Sequence, residues 1–203
     1  MSKRPIQIGI TGGIGAGKST ICKIFKTLGV PVYNADERAK WLMNNDEELK
    51  EDIISEFTEK AYNEEGLDRE YLAANVFHDQ RRLNLLNNLV HPMVAYDYHE
   101  WVMSNQDIPY MIKEAALMFE GGSYRELDKT IVVTAPEEMR ITRVLKRDPH
   151  RDEAQVKEII SKQLPVADVV DRADFVLLND GSSLMLPKVL KLHEKFTAMQ
   201  LQQ

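Results

Sequence analysis

The chain has 203 residues, 43% of them hydrophobic, and a formal net charge of −6, which suits one α/β domain carrying a modest insertion over a real apolar core. The acidic balance argues against a general nucleic-acid binder, whose surface must neutralise phosphates. One cysteine, Cys22, excludes an internal disulfide and a multi-cysteine zinc site, and the five histidines show no metal-ligand spacing. No run of 18 or more apolar residues exists, so no transmembrane helix and no membrane partner are expected. The first apolar run begins so close to Met1 that no signal peptide fits, and a soluble cytoplasmic protein is expected.

Residues 6–10 form a short apolar run ending at Thr11, a buried strand. Gly12-Gly13-Ile14-Gly15-Ala16-Gly17-Lys18-Ser19 comes next and fits the P-loop pattern G-x-x-x-x-G-K-[ST] in full. Ile21, Ile24, Phe25 and Leu28 then recur at helical spacing after Thr20. Strand, glycine loop and helix is the setting that the motif requires, which sets it apart from a chance glycine-rich turn. Glycines let the backbone turn its N–H groups toward an anion, and the helix points its positive end at the same place. Lys18 reaches β- and γ-phosphates, and the Ser19 hydroxyl is a Mg²⁺ ligand. Cys22 falls on this helix as a small packing residue.

Residues 30–33 read as a second strand, ending at Asn34-Ala35-Asp36. Asp36, just past that strand, either orients an acceptor hydroxyl and takes its proton, helps to hold Mg²⁺, or caps a helix starting at Glu37. Residues 36–104 look almost wholly helical, an inserted subdomain with apolar stripes at Leu49, Ile53, Ile54 and Phe57, at Leu72, Ala73, Val76 and Phe77, and at Leu83, Leu86, Leu89 and Val90. Gly66 breaks the run and Asp68 caps the helix after it. Pro92 predicts a kink or break, and His91 beside it reads by default as a buried, satisfied histidine. Residues 110–112 and 130–134 are further strands. Glu114 and Glu120 are either magnesium-side carboxylates or solvated. Pro136 suits a first helical turn, and residues 137–148 form an amphipathic helix on which Arg140, Arg143 and Arg147 share a face. Such a face either closes over a nucleotide or pairs with Glu137, Glu138 and Asp148. A helix over 153–163, a strand over 175–178, a turn at Asn179-Asp180-Gly181 and a final helix from Ser182 or Ser183 complete the chain. Strands alternating with helices imply a mostly parallel sheet covered on both faces.

Taken together, these pieces resemble the dephospho-coenzyme A kinase family over nearly the whole chain. Ile10 to Thr20 is similar to its opening signature. Leu28-Gly29-Val30, Ala35-Asp36, Gly66-Leu67-Asp68-Arg69, Val76-Phe77, Leu89-Val90-His91-Pro92, Leu117-Met118-Phe119-Glu120, Arg143, Arg147-Asp148, Gln163, Ala173-Asp174 and Asn179-Asp180-Gly181 continue in the family's order. The resemblance implies an α/β P-loop kinase with a five-stranded parallel sheet. It implies a core of 1–35 and 105–203, a helical lid over about 139–165, and a CoA-binding helical subdomain over 36–104. The implied reaction passes phosphate from ATP, with Mg²⁺, to the ribose 3′-hydroxyl of dephospho-CoA, the last step of coenzyme A synthesis. ATP would be held by Gly13, Ile14, Gly15, Ala16, Gly17, Lys18, Ser19 and Thr20, with Asn179 and Gly181 near its base. Thr11, Asp36, His91, Pro92 and Glu120 would face the CoA substrate. Asp36, Lys18, Arg143 and Arg147 would carry the chemistry. Two positions depart from the family. Asn34 stands where an aspartate is common, leaving any base role to Asp36, and Ala116 replaces a proline. Another small-molecule kinase is the nearest alternative. A GTPase-like switch would need a guanine-reading N-K-x-D stretch, and none is present.

Overall fold

Ile6, Ile8 and Ile10 alternate along β1 (Ile6–Thr11) and all three are buried, as the two-residue period demands of one sheet face. The computed structural model describes residues 4–76 and 79–202; Phe77, placed on an apolar stripe by its spacing, lies outside them. β1 is the central strand of a five-stranded sheet with β2 (Val32–Asn34), β5 (Tyr110–Glu114), β6 (Lys129–Thr134) and β7 (Phe175–Leu178), in the order β2-β5-β1-β6-β7. Every pairing in it is parallel, so all five carboxyl ends lie along one edge. The expected five-stranded parallel sheet is therefore present.

Tyr110 and Ile112 share a face with the isoleucines of β1. They pack with Ile21, Cys22 and Phe25 of α1 (Lys18–Thr27) and Val189 and Phe196 of α9 (Met185–Gln202). The Tyr110 ring meets Phe25 and Phe196 edge-on, at centroid distances of 6.3 and 5.4 Å, and its hydroxyl lies 2.6 Å from His193 Nδ1. Cys22 is buried as a packing residue, and burial pushes its thiol pKa far up. The rest of this unit comprises α6 (Glu137–Arg147), α7 (Glu153–Ser161) and α8 (Val166–Arg172). Asp152 and Gln155 close a reciprocal capping box at the start of α7.

Several local expectations need correction. Val30 and Pro31 precede β2. Pro136 is the N-cap of α6, with ψ 142°, and stands just outside the first turn. α9 starts at Met185, because Asp180 accepts bonds from the Ser182 N–H and hydroxyl and holds that stretch in a turn. α8 is unanticipated.

The trace divides into two units, one built from residues up to Asn34 and from Asn105 onward, the other from Ala35–Ser104. The second holds α2 (Ala35–Asn45), α3 (Glu47–Phe57), α4 (Arg69–Val76) and α5 (Gln80–Met103), plus a hairpin of β3 (Tyr62–Asn63) and β4 (Gly66–Leu67) where helix is expected. Gly66 enters β4 with φ 113°. Leu49, Ile53, Phe57, Leu72, Val90, Val94, Tyr98 and Val102 are buried, whereas Ala73 faces water. Asp68 accepts the Tyr71 N–H at 2.9 Å, as the cap reading requires.

α5 runs through Pro92 without a break, and His91 is exposed rather than buried. Pro92 removes the bond to the Asn88 carbonyl, but Asn88, His91 and Pro92 are all exposed, so the loss falls on the solvent side of the helix. The opposite stripe of Val90, Val94, Tyr98 and Val102 holds the helix in place.

Candidate active site

The glycine loop joins the carboxyl end of β1 to α1, and packing explains its composition. Gly12 and Gly17 have φ of 145° and 102°, where an L side chain is strained. A Cβ on Gly12 would collide with the Val133 carbonyl, one on Gly13 with the Arg140 guanidinium, and one on Gly15 with the Arg140 backbone. The loop is thus moulded against β6 and the first turn of α6. Gly17 caps α1, whose first turn holds no acidic residue, so the helix presents an uncompensated positive end to the loop. Lys18 Nζ donates to the Gly12 carbonyl at 2.7 Å and lies 3.4 Å from that of Gly13, placing the ammonium over the loop.

Ser19 donates its hydroxyl to Glu114 Oε1 at 3.0 Å, and Asn34 Nδ2 donates to Glu114 Oε2 at 3.3 Å. Register explains the meeting: Asn34 is the partner of Glu114, which is the partner of Ile10. Glu114 is 5% exposed. Among the described residues no group of three His, Cys, Asp or Glu could hold a metal alone. The donor types fit a hard divalent ion that also takes phosphate oxygens, since Mg²⁺ is commonly held by a hydroxyl or carboxylate together with phosphates.

The three α6 arginines part company. Arg140 is buried beneath the loop, with its Nε lacking a hydrogen-bond partner. Arg143 donates to the Asn179 carbonyl at 3.0 Å and reaches the Gly15 carbonyl at 3.5 Å. Arg147 turns outward to Asp148 at 2.8 Å. Seven residues of helix separate Arg147 from Arg140, about 10 Å along the axis, which carries it past the loop. Asn179 also donates Nδ2 to the Ala16 carbonyl at 2.9 Å, tying the turn that includes Gly181 (φ 79°) to the loop.

Gln163 Oε1 accepts the Ile14 N–H at 3.1 Å. Beside it opens a cavity of about 280 Å³, lined by Thr11, Gly13, Glu120, Arg140 and Gln163 and by an apolar wall that includes Val132, Val166 and Val169. The Thr11 hydroxyl donates to the Ala116 carbonyl, and Glu120 accepts the Leu164 N–H at 3.1 Å. Thr11, the loop residues, Glu120, Arg143 and Asn179 therefore gather at one edge of the sheet. Asp36, His91 and Pro92 belong to the second unit. α2 begins at Ala35, so Asp36 sits in its first turn and is not the N-cap of a helix from Glu37. Arg140 and Gln163, named in the sequence only as part of an arginine face and as the end of the lid, contact the loop in a way that sequence reasoning did not anticipate. Their only signals are a helix start just after Pro136 and the end of the predicted lid.

A family model described as dephospho-CoA kinase matches residues 6–184. Dephospho-CoA kinase of Salinibacter ruber is 39% identical over 178 residues, covering 86% of this chain and 89% of that protein. Its counterpart in Bacteroides fragilis is 32% identical over 187 residues, 92% of this chain and 91% of that one. Among solved structures, a Thermus thermophilus protein superposes with a TM-score of 0.85 at 36% identity, covering 95% of this chain and 98% of that one. The dephospho-CoA kinase of Campylobacter jejuni superposes with a TM-score of 0.67 at 28% identity, covering 95% and 97%.

Proposed function

The chain belongs to the dephospho-CoA kinase family, and from that premise we propose which of its groups carry phosphate from ATP to the ribose 3′-hydroxyl of dephospho-CoA. The carrying observation is the complete P-loop, with Lys18 over its carbonyls and the Ser19 hydroxyl donating to Glu114. Gly13 to Thr20 cradle the triphosphate. Asn179 and Gly181 flank the base. Ser19 would hold the Mg²⁺ of the nucleotide complex, an ion that would supply charge neutralisation for the phosphates.

The 3′-oxygen attacks the γ-phosphorus, the bond to the β–γ bridging oxygen breaks, and ADP leaves. Asp36 orients the 3′-hydroxyl and accepts its proton. Thr11, Glu120, His91 and Pro92 hold the CoA substrate, with residues 36–104 as its binding unit. The segment over about 139–165 is the lid, from which Arg143 and Arg147 stabilise the moving phosphoryl group. Among the described residues no helix is long and apolar enough to cross a membrane, and we place the reaction in the cytoplasm.

ADP release from Mg-ATP tests the assignment, with dephospho-CoA run beside AMP, adenosine, pantetheine phosphate and no acceptor. Strong turnover with dephospho-CoA alone, yielding CoA, is expected. Turnover with another acceptor would keep the kinase and discard this substrate. Slow hydrolysis regardless of acceptor would indicate an ATPase or switch.

Arg143→Ala is expected to lower kcat on the order of a hundredfold, with little change in dephospho-CoA binding. Steady-state kinetics separate the roles. A change confined to KM would make Arg143 a uniform binder. Arg147→Ala reports in the same assay whether that residue leaves Asp148 for the phosphates.

A further inference from the structure

The cavity of about 280 Å³ beside the glycine loop has a composition that phosphate binding leaves unused. Val132 on β6 and Val166 and Val169 on α8 give it apolar walls. Three polar groups interrupt them. Arg140 is 4% exposed, yet its Nε has no hydrogen-bond partner and its ion pair with Glu137 is 3.8 Å long. A guanidinium so buried and so poorly satisfied is costly, and an acceptor atom in the cavity would relieve it. Gln163 spends its carbonyl oxygen on the Ile14 N–H, which fixes the amide and leaves its NH₂ group to donate. Glu120 spends one oxygen on the Leu164 N–H and keeps the other as an acceptor.

Donors and an acceptor set in apolar walls suit a heteroaromatic ring that carries both kinds of group at its edge. A diphosphate is ill-matched to a lining that includes Glu120 and Glu137, since like charges repel. The volume lies near the lower end for ligand pockets, so one ring system fits where a whole acceptor does not. Place decides which ring. Gly12 and Gly13 line the cavity, and Lys18, the group for the β- and γ-phosphates, rests on their carbonyls. The Asn179 side chain, beside the base of ATP, bonds instead to Ala16, farther along the loop. The cavity therefore begins at the γ-phosphate end. In dephospho-CoA only a few bonds separate the reacting 3′-oxygen from the adenine on the same ribose, whereas the pantetheine arm starts beyond the diphosphate.

We propose that this cavity is the subsite for the adenine of the acceptor, in which Glu120 accepts the 6-amino group and Arg140 and Gln163 donate to ring nitrogens. The amino group is the one donor on that ring, so it is the group that a carboxylate can read. The inference rests on the dephospho-CoA reading and adds which part of that acceptor the core unit recognises.

The test compares dephospho-CoA with an analogue in which unsubstituted purine replaces adenine. In the parent chain, loss of the amino group is expected to lower kcat/KM about tenfold or more, because the site's acceptor is left unpaired. Glu120→Gln keeps size and shape and can still accept the Leu164 N–H, but turns an NH₂ group toward the ring. In that variant the two acceptors are expected to differ by no more than about twofold. A merely structural role for Glu120 would lower both acceptors alike. Val169→Phe supplies the second arm by narrowing the cavity from α8. It is expected to raise KM for dephospho-CoA about tenfold, with ADP affinity by calorimetry held within about twofold. Equal use of both acceptors by the parent, equal losses for both in Glu120→Gln, or an unchanged KM in Val169→Phe would each overturn the proposal. A parent chain that turns over neither acceptor would instead defeat the dephospho-CoA reading itself.

Discussion

Replacing Lys18 with alanine is expected to reduce kcat/KM on the order of a thousandfold while the protein stays folded. The size comes from the charge removed. Phosphoryl transfer offers a protein little covalent chemistry, so catalysis is mainly positioning and electrostatic stabilisation. Loss of one preorganised donor in a water-poor site costs about 10²–10³ in rate, and Lys18 brings a full charge as well as a donor. The ammonium lies 2.7 Å from the Gly12 carbonyl, on the loop side of α1 rather than in the packed stripe of Ile21, Cys22 and Phe25. Alanine also favours the helix start that it would occupy. Parallel measurements of turnover and thermal unfolding check both halves. Near-normal activity would remove the phosphate-binding assignment of the loop.

The second large effect is at Asp36. Asp36→Asn is expected to lower kcat about a hundredfold, since general-base assistance contributes about 10²–10⁴. Asparagine retains shape and a hydrogen-bond acceptor but cannot take a proton. Asp36 and Glu37 are the acidic residues in the first turn of α2, so the substitution also removes a favourable charge from a helix N-terminus, worth about 0.3–1 kcal/mol. The two contributions separate by measurement. A fall in kcat with an unchanged melting temperature identifies proton transfer or hydroxyl orientation. A small drop in stability with near-normal kcat identifies the helix role. An intermediate kcat loss that is independent of pH indicates positioning alone, as a loose transition state permits.

What the sequence made legible was local chemistry. The loop from Gly12 to Ser19 is contiguous, and its strand and helix announce themselves by period, so its place at the edge of the sheet was readable. Glu114 was not. Ser19, Asn34 and Glu114 are separated by 15 to 95 residues, and only strand register sets them side by side. Helical spacing correctly put three arginines on one side of α6. It is silent on distance along the axis, and that distance sends Arg140 under the loop and Arg147 to Asp148. Of the kink or break predicted at Pro92, the break is absent: the rule assumes that the freed carbonyl has no substitute partner, whereas this one is on the exposed side of α5. The β3–β4 hairpin has strands of two residues, too short for any period to register.

The fit of Arg140 beneath Gly13 and Gly15 also bears on how this protein tolerates change. Loop and helix start form one unit of variation: a methyl group on Gly15 must be answered by a retreat of the helix backbone, one on Gly13 by a displaced Arg140 side chain. A library that randomises residues 12–17 while holding α6 constant would therefore be dominated by misshapen loops. One that varies Gly13, Gly15 and Arg140 together samples the combinations in which a different anion cradle can still be built.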